Sequence, residues 1–572
     1  MSAGRILLMF FVIYITIVLY FITIGVHDIL TAQNERETAI SPRECVQNVT
    51  KQEIKTRQMP APIYQQPVQF GPGSNGEPVE FDGSLSENDT KLIKHYYKVY
   101  DYNAFISDLL PFPRLLPDYR PSECRKIKYP DNLPKVSVVI PFRNERLSVL
   151  LRTIHNILFY TPDHLLEEII IIDDASTEVE LTFKLDLHVK SLSKVVLIRK
   201  TTNVGLMMAR QAGIDISKAD YFICMDSHIE VSLGWVEPIL SRLVQNPKAL
   251  LYSNIGSVNN ENFEVKMNPR PFGEPFDFPF FTWNFEQEQS RHSEAYKLSR
   301  TNKTDPILMG SAMGMMICMK KSWFYQLGGF DPGMKIWGSE QIEISVKVWM
   351  CGGVVEMIPC SFVAHIYRRI VWNLRHVGHT NKVRLIETWV DKPYKQIIYH
   401  YNGFKPETVQ YGDVSDRLKV REQIQCKSFQ YFLDKIREFA NIHIPAESHK
   451  LGGLRNIQTD TCLDRNGRQE SPIHYPCHGT GATQYFEFTI EDTIRHLGHC
   501  LYVNDDDNIV FRHCDHFEDA MLKKWIYDEL EQTYVHIKTG KCMTAESNTS
   551  KIVGRNCTSS NEQKWRWESV QI

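Results

Sequence analysis

The sequence predicts an α/β domain built on a mostly parallel sheet, then a smaller all-β domain of threefold design, with an apolar helix ahead of both. Three observations carry this reading. Apolar β-branched runs alternate with helix-period stretches from Val136 onward, three units with a cysteine pair each close the chain, and residues 6–26 form one uncharged apolar run. At 572 residues the chain is too long for a single core. Its formal charge of −3, from 65 basic and 68 acidic residues, leaves no chain-wide field that would draw a nucleic acid or another polyanion.

The first element, "ILLMFFVIYITIVLYFITIGV", matches the roughly 20 residues a helix needs to cross a bilayer. A secretory signal peptide is the alternative, but its apolar region is usually about 7–15 residues and ends at a small-residue cleavage site, which follows only weakly here. Arg5 places residues 1–5 on the cytoplasmic side and the remainder in the lumen, a single-pass type II arrangement. The 13 cysteines and the sequons at Asn48, Asn88, Asn302, Asn548 and Asn556 agree with an oxidising, glycosylating compartment. Residues 27–90, punctuated by Pro60, Pro62, Pro67, Pro72 and Pro78 with Gly71, Gly73 and Gly76, read as a flexible stem.

The α/β domain is expected over residues 91–445. "KVSVVIPFRNE" reads as a strand entering a helical stretch, "EEIIIIDDAS" repeats the pattern and ends on Asp173 and Asp174, and "ADYFICMDSH" ends on Asp226 and His228. Strands alternating with helices open their C-terminal ends into one ligand crevice. Residues 446–572 hold the three repeats, pairing Cys462 with Cys477, Cys500 with Cys514 and Cys542 with Cys557, each pair followed at a short fixed distance by Phe486, Trp525 or Trp565. A repeat of this kind predicts one disulfide per lobe.

Asp226-Ser227-His228 is either a strand cap or a pair of metal ligands. In an extended segment Asp226 and His228 share a face while Ser227 turns away, its backbone open to a ligand. Carboxylate and imidazole together suit Mn²⁺ better than a thiolate-seeking metal. His365 in "PCSFVAHIYRR" is either a structural histidine or a third ligand, and Arg368 beside it suits a metal-bound diphosphate. "KIWGSEQIEISVKVWMCGG" adds Trp337 and Glu340 ahead of a helix.

In this order, "VVIPFRNE", "IDDAS", "MDSH", "WGSEQIEIS", "PCSFVAHIYR" and three Cys-pair repeats, the chain resembles the polypeptide N-acetylgalactosaminyltransferases from about residue 90 to its end. The resemblance implies a GT-A (Rossmann-like) α/β catalytic domain followed by a ricin-type β-trefoil lectin. It also implies transfer of GalNAc from UDP-GalNAc to Ser or Thr hydroxyls of proteins or glycopeptides in the Golgi, with Mn²⁺ and retention of configuration. By motif, Asp226, His228 and His365 would hold the metal, Asp174 would contact the uridine part and Ser227 the nucleotide sugar. Trp337, Glu340 and Arg368 would line the donor and acceptor site and carry the catalytic work. The same resemblance implies disulfides Cys124–Cys360 and Cys351–Cys426, leaving Cys45, Cys224 and Cys318 unpaired. In the lectin, Asp464, His478 and Gln484 of the first lobe are the candidate sugar-binding residues.

Several positions depart from the family pattern. Met313-Gly314-Met315 replaces Ala-Gly-Gly, Ser339 and Gln341 flank Glu340, Asn203 stands for an arginine and Pro141 for a threonine, and "RIVWNLRHVGH" replaces the closing loop after the metal histidine. In the second and third lobes Tyr502 and Thr544 replace the sugar-binding Asp, and in the first Thr483 replaces an Asn. These changes leave two further readings: a binding module for glycopeptides or a partner, and a transferase that uses another UDP-sugar.

Overall fold

The computed structural model describes residues 71–81, 83, 85–267, 274, 277–368, 375–403, 405–467 and 469–569. The cytoplasmic tail, the apolar run at 6–26, the stem up to residue 70 with Cys45, and residues 369–374 of the expected closing loop lie outside them. Among the described residues no helix is long and apolar enough to cross a membrane.

The stem boundary expected at residue 90 needs correction. Helix α1 (Glu87–Tyr100) starts earlier, and Asn75 already donates its N–H to the Leu115 carbonyl at 2.8 Å. Ser86 caps α1, its hydroxyl accepting from the Asp89 N–H. The Gly-rich stretch that composition marks as flexible is thus fastened by backbone hydrogen bonds.

The large sheet contains β1 (Val136–Phe142), β2 (Leu166–Asp173), β3 (Val195–Arg199), β4 (Tyr221–Met225), β5 (Ile229–Val231), β6 (Ala249–Val258), β7 (Val265–Lys266), β10 (Ile307–Leu308), β11 (Met316–Lys320) and β12 (Val354–Ile366). A separate hairpin is formed by β8 (Asp277–Phe281) and β9 (Gln287–Arg291). The strand order is β10-β12-β6-β11-β4-β1-β2-β3, with β5 added to β12 and β7 to β6.

The sheet is mostly parallel, as expected, with six of its ten strands running the same way. β1, β2, β3 and β4 run parallel, as do β6 and β12, but β11 lies antiparallel between β4 and β6. No crossover helix feeds β11; the chain reaches it through the hairpin and β10, so the rule that makes βαβ units parallel does not apply. Ile169–Ile172, Val138 and Phe222 are fully buried at its centre. Helix α2 (Leu147–Tyr160) covers one face with Leu150, Ile154 and Ile157. Pro141 is tolerated inside β1 because β4 pairs with β1 only as far as Val139.

The C-terminal domain is all β, with three disulfides, Cys462–Cys477, Cys500–Cys514 and Cys542–Cys557. Phe486, Trp525 and Trp565 meet in its core. The Trp525 and Trp565 indoles donate to the carbonyls of Leu501 and Met543, each the residue after its lobe's first cysteine. The α/β domain contains Cys124–Cys360 and Cys351–Cys426, while Cys224 and Cys318 are free and buried. Burial pushes the Cys224 thiol up to about 12, as expected of a small core residue.

Candidate metal and nucleotide site

β4 ends at Met225, and the chain turns through Ser227 and His228 into β5. The extended segment expected for Asp226-Ser227-His228 is therefore a turn. It still brings the two ligands together, because β5 pairs with β12 in a register that sets Ile229 opposite His365. One ligand atom from each of Asp226, His228 and His365 lies within 4.8 Å of the others.

The trio is held from outside. Glu145, at the C-terminal end of β1, accepts from His228 Nδ1 and from the Ser227 hydroxyl at 2.8 Å each, and from the Tyr102 hydroxyl at 2.6 Å. A histidine that donates Nδ1–H to a carboxylate presents Nε2 to a metal. Arg368 also pairs with Glu145 and lies over the Tyr102 ring. Burial would raise the Glu145 carboxyl, but Arg368 and His228 outweigh it and hold it well below the usual carboxylate range.

On the other side Arg210, from α3 (Leu206–Ile216), donates to Asp226 Oδ1 at 2.9 Å and to the Gly314 carbonyl at 2.7 Å. Burial disfavours the charged form of Asp226, yet the neighbouring His365 and the charge of Arg210 lower it to about 2. His365 is buried, 3.4 Å from Asp226 Oδ2, with neither ring nitrogen hydrogen-bonded, and burial lowers its pKa to about 4. A neutral imidazole with unsatisfied nitrogens beside an ionised carboxylate fits a divalent cation.

Glu340 begins α4 (Glu340–Met350), and its Oε2 accepts from the Gly338 N–H at 2.9 Å. Burial raises its carboxyl, with Arg210 opposing. Trp337 is about half exposed on the loop before α4, and Asn381 fastens that loop by donating to the carbonyls of Lys335, Trp337 and Gly338.

Two of the expected ligand-contacting residues also hold the framework. Asp174 accepts the Val204 and Gly205 N–H groups at 2.6 and 2.9 Å, so it anchors the start of α3. The Ser227 carbonyl accepts from the Thr153 hydroxyl at 2.9 Å.

Among the departures, Asn203 is exposed and accepts the Gly205 N–H at 3.0 Å. Met313 and Met315 are half-buried against the core, and Gln341 donates to the Gln287 side chain at 3.2 Å. Glu145 and Arg210 join the site without having been singled out in the sequence. Their signal was present: Glu145 closes the VVIPFRNE stretch in the polar loop after β1, and Arg210 is a charged residue inside an apolar helix pattern.

In the first lectin lobe Asp464 accepts from Thr483 at 3.0 Å and from the Asn466 N–H at 2.8 Å, and His478 Nε2 lies 3.9 Å away. Gln484 bonds the His478 N–H and the Pro476 carbonyl, which makes it a framework residue.

Residues 137–328 match the family model for glycosyl transferase family 2, residues 301–370 that for the N-terminal domain of galactosyltransferase, and residues 450–565 that for the ricin-type beta-trefoil lectin domain. Human polypeptide N-acetylgalactosaminyltransferase 13 is 33% identical over 88% of this chain and 90% of its own length. The putative polypeptide N-acetylgalactosaminyltransferase 9 of Drosophila melanogaster is 32% identical over 96% and 83%. A crystal structure of GalNAc-T7 with UDP, GalNAc and Mn²⁺ superposes with a TM-score of 0.69 at 29% identity, over 88% of this chain and 93% of that one.

Proposed function

The chain belongs to the polypeptide N-acetylgalactosaminyltransferase family, and from that membership we propose that Asp226, His228 and His365 hold Mn²⁺ and that UDP-GalNAc gives its sugar to a Ser or Thr hydroxyl with retention. The observation that carries the reading is the convergence of those three residues on one point, backed by Glu145, Arg210 and Arg368. When bound, Mn²⁺ supplies positive charge to the diphosphate that departs. Arg368 shares that work once its guanidinium turns from Glu145 to the phosphate oxygens. Glu145 keeps the His228 ring oriented, and Arg210 holds Asp226 against Gly314. The acceptor hydroxyl attacks on the face that UDP leaves, passing its proton to a phosphate oxygen, while Glu340 and Trp337 position sugar and acceptor. Asp174 contacts the uridine part while fixing residues 204 and 205, and Ser227 touches the nucleotide sugar while holding the turn.

By the family's pattern the protein is a single-pass type II protein of the Golgi membrane, with both domains lumenal. A second reading, another UDP-sugar as donor, is favoured by Met313 and by the Gln341–Gln287 pair beside Glu340. The test is calorimetric binding of UDP and a panel of UDP-sugars to the lumenal chain, with and without Mn²⁺. Mn²⁺-dependent UDP binding lost in Asp226→Ala, with UDP-GalNAc the tightest sugar donor, is the expected result. Metal-independent binding would overturn the metal assignment, and a tighter alternative sugar would favour the second reading.

A further inference from the structure

We propose that the second lobe of the trefoil binds an anionic saccharide. The lobes align through their cysteine pairs and core aromatics, so corresponding positions can be compared directly. After the first cysteine and its apolar neighbour come Asp464 in lobe one and Thr544 in lobe three, but Tyr502 in lobe two. Two residues before the core aromatic, lobes one and three carry Gln484 and Gln563. Each of these bonds the N–H just after its second cysteine and the carbonyl just before it. Lobe two has Lys523 there, which reaches the Cys514 carbonyl at 2.8 Å. The acid and the neutral amide of a galactose-type pocket have thus become an aromatic ring and a cation.

Around Tyr502 the structure adds two more groups of the same kind. Phe517 packs edge-to-face on Tyr502 with ring centroids 5.2 Å apart. The exposed Arg512 guanidinium lies 5.8 Å from the Tyr502 centroid and 5.7 Å from that of Phe517, and Lys523 Nζ lies 6.0 Å from Phe517. Among the described residues Arg512 has no carboxylate within ion-pair distance. Of the acids near it in sequence, Asp507 pairs with Lys541, Asp519 with Lys538 and Asp515 lies 3.9 Å from His513, while Asp505, Asp506 and Glu518 are exposed.

Two aromatic rings offer the apolar face of a pyranose a wall, and an unpaired guanidinium with a nearby ammonium offers a carboxylate or sulfate its counter-charge. A neutral hexosamine meets neither a carboxylate for its hydroxyls nor a use for the cations. The ligand class is therefore a sugar bearing a carboxylate or a sulfate ester. Because binding is read without transfer, the proposal stands apart from the catalytic reading.

The test compares lactose, 3′-sialyllactose, 3′-sulfolactose and inorganic sulfate by ligand-observed NMR titration of the lumenal chain, in an Asp464→Ala background that silences lobe one. At least one acidic lactose should bind about tenfold or more tightly than lactose, the scale of one charge-assisted hydrogen bond. Arg512→Met should remove that preference while leaving the melting temperature unchanged, and Lys523→Met, which also loses the bond to the Cys514 carbonyl, should remove it with a lower melting temperature. Equal binding of acidic and neutral sugars, no binding of either acidic lactose, or a preference that survives Arg512→Met would overturn the proposal. Inorganic sulfate binding as tightly as sulfolactose would overturn it too, by reducing the site to an ion contact. The choice between sialyllactose and sulfolactose identifies the anionic group.

Discussion

The two halves of the proposed catalytic cleft are built differently. On the proposed metal side, both carboxylate oxygens of Glu145 and Oδ1 of Asp226 accept hydrogen bonds from named side chains. On the sugar side, Met313, Met315, Gln341 and Ser339 replace the family's residues, and Gln341 spends a hydrogen bond on Gln287 instead. Arg210 spans the two, touching Asp226 with the same nitrogen that bonds the Gly314 carbonyl. Diphosphate departure tolerates little change in charge geometry, whereas a sugar pocket can be reshaped residue by residue.

Three substitutions test that contrast. Asp226→Ala on the metal side should reduce transfer by on the order of 10³-fold, because the leaving diphosphate loses its counter-charge; initial rates under saturating Mn²⁺ read this. Glu145→Gln should weaken Mn²⁺ by about 10–100-fold while saturating metal restores much of the rate, the behaviour of a residue that orients a ligand. That variant separates positioning from general damage, which excess metal would not rescue. Met313→Ala on the sugar side should change the KM for the donor by no more than about tenfold, leaving Mn²⁺ affinity unmoved.

The smallest effect is expected outside the cleft, at the contact between the two domains. Glu487 is buried in the trefoil and accepts from Tyr401, His443 and Ser448. Burial alone would raise its carboxyl, but His443, Arg495 and Tyr401 lower it below its ordinary 4.5. A depressed carboxylate contributes stability above pH 4.5 that fades as pH falls through the lower folded value. Glu487→Gln should therefore cost about 2 kcal/mol at pH 7 and progressively less as pH drops below about 4, read by calorimetric melting at both.

Much of this was legible in the sequence, for identifiable reasons. β1, β2 and β4 were readable because buried parallel strands are continuous apolar runs, and the lobes because cysteine spacing repeats. The antiparallel β11 was not, since "MICMK" looks the same in either direction and only the route of the chain decides. The turn at Ser227 and His228 escaped for a related reason: alternation predicts a shared face, and so does a tight reversal. Glu145 was overlooked because a charged residue in a polar loop reads as a solvated one, and Arg210 because a charged residue inside an apolar pattern is ambiguous until its partners are known. Their partners, His228 and Asp226, lie 83 and 16 residues away in the chain.

The central claim is that the metal trio serves GalNAc transfer, and the most direct measurement is transfer of labelled GalNAc from UDP-GalNAc to a panel of Ser/Thr peptides and glycopeptides. The lumenal chain with Mn²⁺, the same chain stripped of metal, and Asp226→Ala would be compared. Product on at least one acceptor with Mn²⁺, abolished by chelation and by Asp226→Ala, is the predicted result. Product that persists in Asp226→Ala, or its absence on every acceptor while UDP still binds with Mn²⁺, would contradict it.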